Sequence, residues 1–387
     1  MLKITLLLIS AMTVMAGALV APSLPYMAEA FAGESNVELK TKLVLTLPGL
    51  FIAVGSPLAG MLLDRYSKKK LIVGSLLVYA VAGSAGLFLD QLSLILVSRA
   101  LLGLSVAISM TGVTAMVGDY YEGEERSRFI GIQGAVMSFG GTVLVALSGW
   151  LAGFSWRYPF GVYAVGLLVA GVVGVVIREP NSVVDRSAEK QASSAEPISR
   201  LQWIVLGTVC LGMMLFYVIP AQSPFLLKQA GATSSFVTSL GLIAATLTGA
   251  LSALGYGSLK KRMTFNQLYA LCFSLYAAGY LSILWLNAPV AMVFALAISG
   301  FGSGLLIPNT TLCLLSQTTP NNRGSTMGRN TSAIFLGQFL SPLAFQPLLA
   351  NASLPVAFFE SGLLALAIAL AYAVGAVRYQ RAQVSGQ

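Results

Sequence analysis

Apolar residues along this chain gather into long runs separated by short polar turns. The runs lie near residues 5–26, 43–63, 71–89, 92–114, 129–151, 159–177, 202–222, 236–256, 264–286, 289–316, 329–350 and 353–377. Each is long enough to cross the ~30 Å hydrocarbon layer as a helix rising ~1.5 Å per residue. A segment in lipid has to satisfy its own backbone hydrogen bonds, which leaves helices and closed barrels as the choices. Continuous apolar runs rich in Gly and Ala suit close helix contact, whereas a barrel strand alternates apolar and polar positions. The pattern predicts an all-α membrane protein with twelve transmembrane helices.

The one long interruption, residues 178–201, is rich in Ser, Glu, Lys and Ala and has no apolar periodicity, which marks a linker. It divides the chain into six helices over 1–177 and six over 202–387. The halves echo each other. At one constant offset Gly103 falls on Gly300, Arg126 on Arg323, Gly131 on Gly328 and Gly140 on Gly337, and at a different offset the basic turn Lys68-Lys69-Lys70 returns as Lys260-Lys261-Arg262. Two pseudo-repeated six-helix bundles are therefore expected.

Basic residues set the orientation. With both termini cytoplasmic, that side holds Lys3, the turn from Arg65 to Lys70, Arg126, Arg128, the basic residues of the linker, Lys260 to Arg262, Arg323, Arg329, Arg378 and Arg381. Only Lys40, Lys42, Arg157 and Lys228 fall outside, the asymmetry of a positive-inside protein, and the linker is then cytoplasmic. Lys3 ahead of an apolar stretch reaching Ala16, Gly17 and Ala18 has the look of a cleavable leader. Cleavage would break one of two matched halves, so the first run is expected to stay as a span.

Composition narrows the function. The 387 residues are 56% hydrophobic and 10% charged, with mean hydropathy +0.81, so little is left for a soluble domain. The net charge of +9 sits in short clusters between spans, which fits a membrane face and excludes a nucleic-acid stripe. Histidine is absent, which removes Ser-His dyads, H-E-x-x-H zinc sites and imidazole relays. Cys210, Cys272 and Cys313 lie apart inside apolar runs and read as small buried hydrophobes. No Walker lysine motif occurs, and Gly300-Phe-Gly302-Ser-Gly304 lies within a span without βαβ context. No metal, cofactor or enzymatic chemistry is expected.

The turn after the second run reads Gly60-Met-Leu-Leu-Asp64-Arg65-Tyr-Ser67-Lys68-Lys69-Lys70, and the fourth run carries Arg99-Ala-Leu-Leu-Gly103. Trp156-Arg157-Tyr-Pro-Phe160 follows the fifth run. These segments resemble the G-x-x-x-D-R-x-G-R-K, R-x-x-x-G and W-R-x-x-F motifs of the major facilitator superfamily, in particular its twelve-helix bacterial drug/proton antiporters. Ser67 departs from the usual Gly, Leu102 from a frequent Gln, and the helix-5 exporter signature lacks its proline around Gly134, Gly140 and Gly141. The resemblance implies the major facilitator fold in a bacterial inner membrane and a monomer moving a small molecule, with protons as the coupled partner. It also implies a conformational latch of Gly60, Asp64, Arg65, Lys68, Lys69, Asp119 and Arg126. In that latch Asp64 meets the start of helix 11, and Lys68 pairs with Asp119.

No acidic residue falls confidently at mid-membrane, so proton-coupling candidates come by elimination. They are Glu29 or Glu360 with Arg99 toward the outside, and Asp64 with Asp119 inside. The family's cavity is lined by helices 1, 4, 7 and 10, which here supply Met15, Met110, Thr111, Thr114, Met213, Phe216, Tyr217, Gln222, Ser303 and Asn309. Gln133, Phe335 and Gln338 on helices 5 and 11 are added candidates. A Met-rich, aromatic wall with scattered amides and hydroxyls suits an adaptable site for lipophilic or amphipathic compounds. Proton-driven export of drug-like molecules is the leading expectation. A carrier for one metabolite or siderophore is the alternative within the fold, and an intramembrane receptor or enzyme is the alternative of another class.

Overall fold

The structure, a computed structural model, describes residues 1–177, 198–319 and 322–385. Those residues are helical throughout their ordered elements, with no strand among them. Among the described residues, twelve helices are long and apolar enough to span a bilayer. The first six are α1 (Leu2–Ala30), α2 (Val37–Arg65), α3 (Lys68–Leu87), α4 (Leu92–Tyr120), α5 (Gly123–Ala152) and α6 (Tyr158–Val176). The second six are α7 (Arg200–Gln229), α8 (Ser235–Lys260), α9 (Phe265–Trp285), α10 (Pro289–Leu315), α11 (Arg323–Leu349) and α12 (Leu354–Val377). An even number of crossings puts both termini at one end, here called the termini face; the opposite end is the far face. Most of the expected linker, residues 178–197, lies outside the described residues.

Several helices run past the apolar limits read from sequence. α4 continues to Tyr120, α5 begins at Gly123 and α7 ends at Gln229. Backbone hydrogen bonding does not stop where apolar side chains do, and polar end turns are capped by side chains. Ser199 and Gln202 form a capping box at the start of α7, and Thr264 and Gln267 do so at α9. α1 is broken by a 3-10 turn at Ala21–Ser23 that contains Pro22, then resumes as Leu24–Ala30. Pro220 and Pro224 lie inside α7.

Each half is a bundle of six helices packed backbone to backbone at glycines. In the first half, a Cβ at Gly103 would sit 2.5 Å from the Pro48 carbonyl and 2.8 Å from Phe51 Cβ, so Gly103 lets α4 lie directly on α2. In the second half, Gly300 and Gly304 of α10 press on the backbone of Ala245 and Gly249 in α8. Lys40 ties Glu34 in the α1–α2 turn at 2.8 Å, and this ammonium holds the Glu34 carboxyl below the usual carboxylate range.

Candidate functional site

The two bundles meet differently at the two faces. Near the far face, α5 lies against α8, and a Cβ at Gly149 would stand 2.9 Å from the Cβ of Ser239. Thr142 Oγ1 donates to Thr246 Oγ1 at 3.4 Å nearer the middle. Toward the termini face, Gly131 and Gly134 of α5 and Gly255 and Gly257 of α8 have no heavy atom within 4 Å of a Cβ position. Among the described side chains of α5 up to Gly140, only Phe129 is buried, stacked on Tyr121.

The other helix pairs between the bundles behave alike. α2 meets α11 at mid-height, where Ser332 Oγ donates to the Ala53 carbonyl at 3.3 Å and Gly49 faces the Phe335 carbonyl. A turn and more toward the termini face, Gly60 stands in open space and Asp64 is exposed. α1 meets α7 where the Tyr217 hydroxyl rests on Gly17. Beyond it, Lys228 Nζ pairs with Glu29 at 2.6 Å and lies 4.2 Å from the Tyr26 ring centre, while Lys42 Nζ lies 5.2 Å from that of Phe225. The space between the bundles is thus sealed at the far face and open at the termini face.

Arg99 is fully buried inside the first bundle, behind α1. Its guanidinium donates to the carbonyls of Ala82, at 3.2 Å, and Gly83, at 2.5 Å, and sits 4.8 Å and 5.0 Å from the ring centres of Phe160 and Tyr163. A delocalised, weakly hydrated cation is the charge best suited to such an aromatic and carbonyl cage. The cage reaches the path indirectly. The Tyr163 hydroxyl donates to the Met15 carbonyl at 3.1 Å, and that of Tyr79 to the Met12 carbonyl at 2.9 Å. Glu29 is engaged with Lys228 and Glu360 is exposed near the start of α12, so neither carboxylate accompanies Arg99.

At the termini face, Lys68 pairs with the Asp119 carboxylate, joining the start of α3 to the end of α4. The Arg126 guanidinium, itself exposed, reaches back to Gly118, where a Cβ would lie 3.7 Å from it. Asp64 and Arg65 are exposed, and Asp64 has no hydrogen bond or ion pair among the described residues. Lys69 is half-buried.

The candidate binding residues divide into two sets. Met110, Thr111, Phe216, Tyr217 and Gln338 are half-buried, with Thr114 exposed, and Gln133 donates to Ser10 Oγ at 2.8 Å across α5 and α1. Met15 and Gln222 are buried toward the sealed part, and Met213 is buried against Gly337 of α11 within the second bundle. Ser303 and Asn309 belong to packing inside the second bundle. Ser303 faces Gly249 of α8, and Asn309 accepts from Tyr256 at 3.1 Å and donates to the Phe265 carbonyl at 3.1 Å. Sequence reasoning missed Ser10, the tyrosines around Arg99, and Lys42, which is 1% exposed although it follows Lys40 in what reads as a polar turn.

Comparison with known proteins follows the same lines. The Major Facilitator Superfamily model matches residues 6–342 and again 204–385. Multidrug resistance protein 2 of Bacillus subtilis is 26% identical over 310 residues, covering 75% of this chain and 74% of the relative. The quinolone resistance protein NorA of Staphylococcus aureus is 24% identical over 306 residues, covering 74% and 75%. Among solved structures, a D-xylose-proton symporter superposes with a TM-score of 0.78 at 14% identity, over 96% of each chain. Twelve apolar helices in paired bundles, motifs at matching positions and a family match along almost the whole length lead to one assignment: the chain belongs to the major facilitator superfamily of membrane transporters.

Proposed function

We propose that this protein is a secondary transporter that exports hydrophobic or amphipathic small molecules, drug-like compounds among them, by alternating access coupled to proton entry. The observation that carries this reading is the one-sided closure: the bundles touch from mid-height to the far face and part toward the termini face. Such a shape is one of two end states of a path that opens to either side by turns. The names of the relatives, multidrug and quinolone resistance proteins, support export of drug-like compounds. With the positive-inside orientation the termini are cytoplasmic, the protein is a monomer of the inner membrane, and the described state is open to the cytoplasm.

In this reading residues 1–177 and 202–387 rock against each other, with the latch at the termini face. Asp64 stands without a partner in the open state, and closure of that face brings it to the start of α11, where the unpaired N–H groups of a helix end attract a carboxylate. The test is dye transport in proteoliposomes with an imposed proton gradient. Transport follows the gradient, and Asp64→Asn lowers turnover by about tenfold, the effect of ~1.4 kcal/mol on the closing step. Transport indifferent to the gradient removes antiport, and full activity in Asp64→Asn removes the latch.

A further inference from the structure

The interior of the protein has an unusual charge balance. Arg99 is 0% exposed and Lys42 is 1% exposed, and no carboxylate is buried among the described residues. Every described acid sits in a turn or near a helix end. Charge interactions are several-fold stronger in a poorly polarisable interior than in water. A lipophilic cation passing between the bundles therefore meets fixed positive charge with no buried counter-charge among the described residues, whereas an acidic group is drawn in.

Lys42 is the cation placed to act on a substrate. It lies on α2 at the seam between the bundles, under Phe225 of α7. Its one carboxylate neighbour among the described residues, Glu38, is 3.5 Å away and 60% exposed, so solvent screens most of that attraction. The other charges of the gate are spent on each other, Lys228 on Glu29 and Lys40 on Glu34. Gln222 stands three residues before Phe225, on the same side of α7 and one turn nearer the middle of the membrane. It is 1% exposed, and both its Oε1 and its Nε2 lack a hydrogen-bond partner. A buried amide left unpaired destabilises the state that holds it, and another state of the cycle is where it finds its bonds. Opening the far face parts α2 from α7 and leaves Lys42 and Gln222 lining the exit.

We propose that Lys42 and Gln222 form an exit-side subsite for a carboxylate or similar acidic group, and that the transporter favours anionic or zwitterionic amphiphiles over lipophilic cations. The ammonium takes one oxygen of the acid and the Gln222 amide N–H the other. This rests on the export reading and names its substrate class.

The test uses a rhodamine as its methyl ester, a cation, and as the free acid, whose carboxylate offsets that charge, with neutral N-phenylnaphthylamine as reference. Transport of each is measured in proteoliposomes of the full chain. The free acid is expected to show a KM lower than the ester by about tenfold, the scale of one partly screened charge pair. Lys42→Gln removes the difference and Lys42→Arg keeps it. Equal or better transport of the ester by the unaltered protein overturns the proposal. So does discrimination that survives in Lys42→Gln, with Lys42→Arg showing that position 42 tolerates exchange. Movement of the neutral compound with neither rhodamine transported also overturns it while leaving export standing; movement of none of the three overturns the export reading itself.

Discussion

At the scale of single residues, Arg99 shows how a charge persists inside a membrane bundle. No acid among the described residues stands beside it, and two carbonyls and two ring faces take the place of a counter-ion. Lysine at this position keeps the charge but loses the planar fork and the stacking. Arg99→Lys is expected to lower unfolding stability by about 2 kcal/mol, read as a lower thermal midpoint of the detergent-solubilised protein. An unchanged midpoint would count against the cage. The charge and its spacing from Gly103 were visible in the sequence, but the cage was not, because Tyr79, Phe160 and Tyr163 come from two other helices. Lys42 was hidden for a different reason: next to Lys40 and Glu38 it has the local composition of a turn, and only the approach of α7 buries it.

At the scale of helices, the number and order of spans could be read directly, since a run of about twenty apolar residues has no other stable arrangement in lipid. Faces could not be read. Ser303 and Asn309 were assigned to the path because their helix lines it in the family, yet a helix buried on most sides carries no polar stripe to show which side looks where. The same helix gives a sharp packing test. Gly304 lies on the Gly249 carbonyl with no space between, whereas Gly255 faces open space. Gly304→Val is expected to push α10 off α8 and abolish the yield of folded protein in size-exclusion chromatography, and Gly255→Ala to leave it unchanged. Equal yields would mean that the two helices do not need this approach.

At the scale of the whole molecule, the seam at the far face makes the conformational cycle testable. Cysteines placed as Gly149→Cys and Ser239→Cys come within bridging range once α5 and α8 ease apart by about 1 Å, because a Cβ at Gly149 would be 2.9 Å from that of Ser239 and a disulfide holds its Cβ atoms ~3.8 Å apart. Oxidation of the pair is expected to stop transport and reduction to restore it, while a thiol at Thr114→Cys stays open to a reagent applied at the termini face throughout. Transport that continues through the oxidised bridge would rule out parting of α5 and α8. The prolines of α7 bear on how such parting happens. Pro220 and Pro224 supply no N–H to the carbonyls one turn before them, so the stretch from Tyr217 to Phe225 is held by fewer rungs than the helix on either side. That stretch bends at less expense than the rest of α7, so the tip bearing Lys228 can swing clear like the leaf of a door while the root of the helix stays seated in its own half.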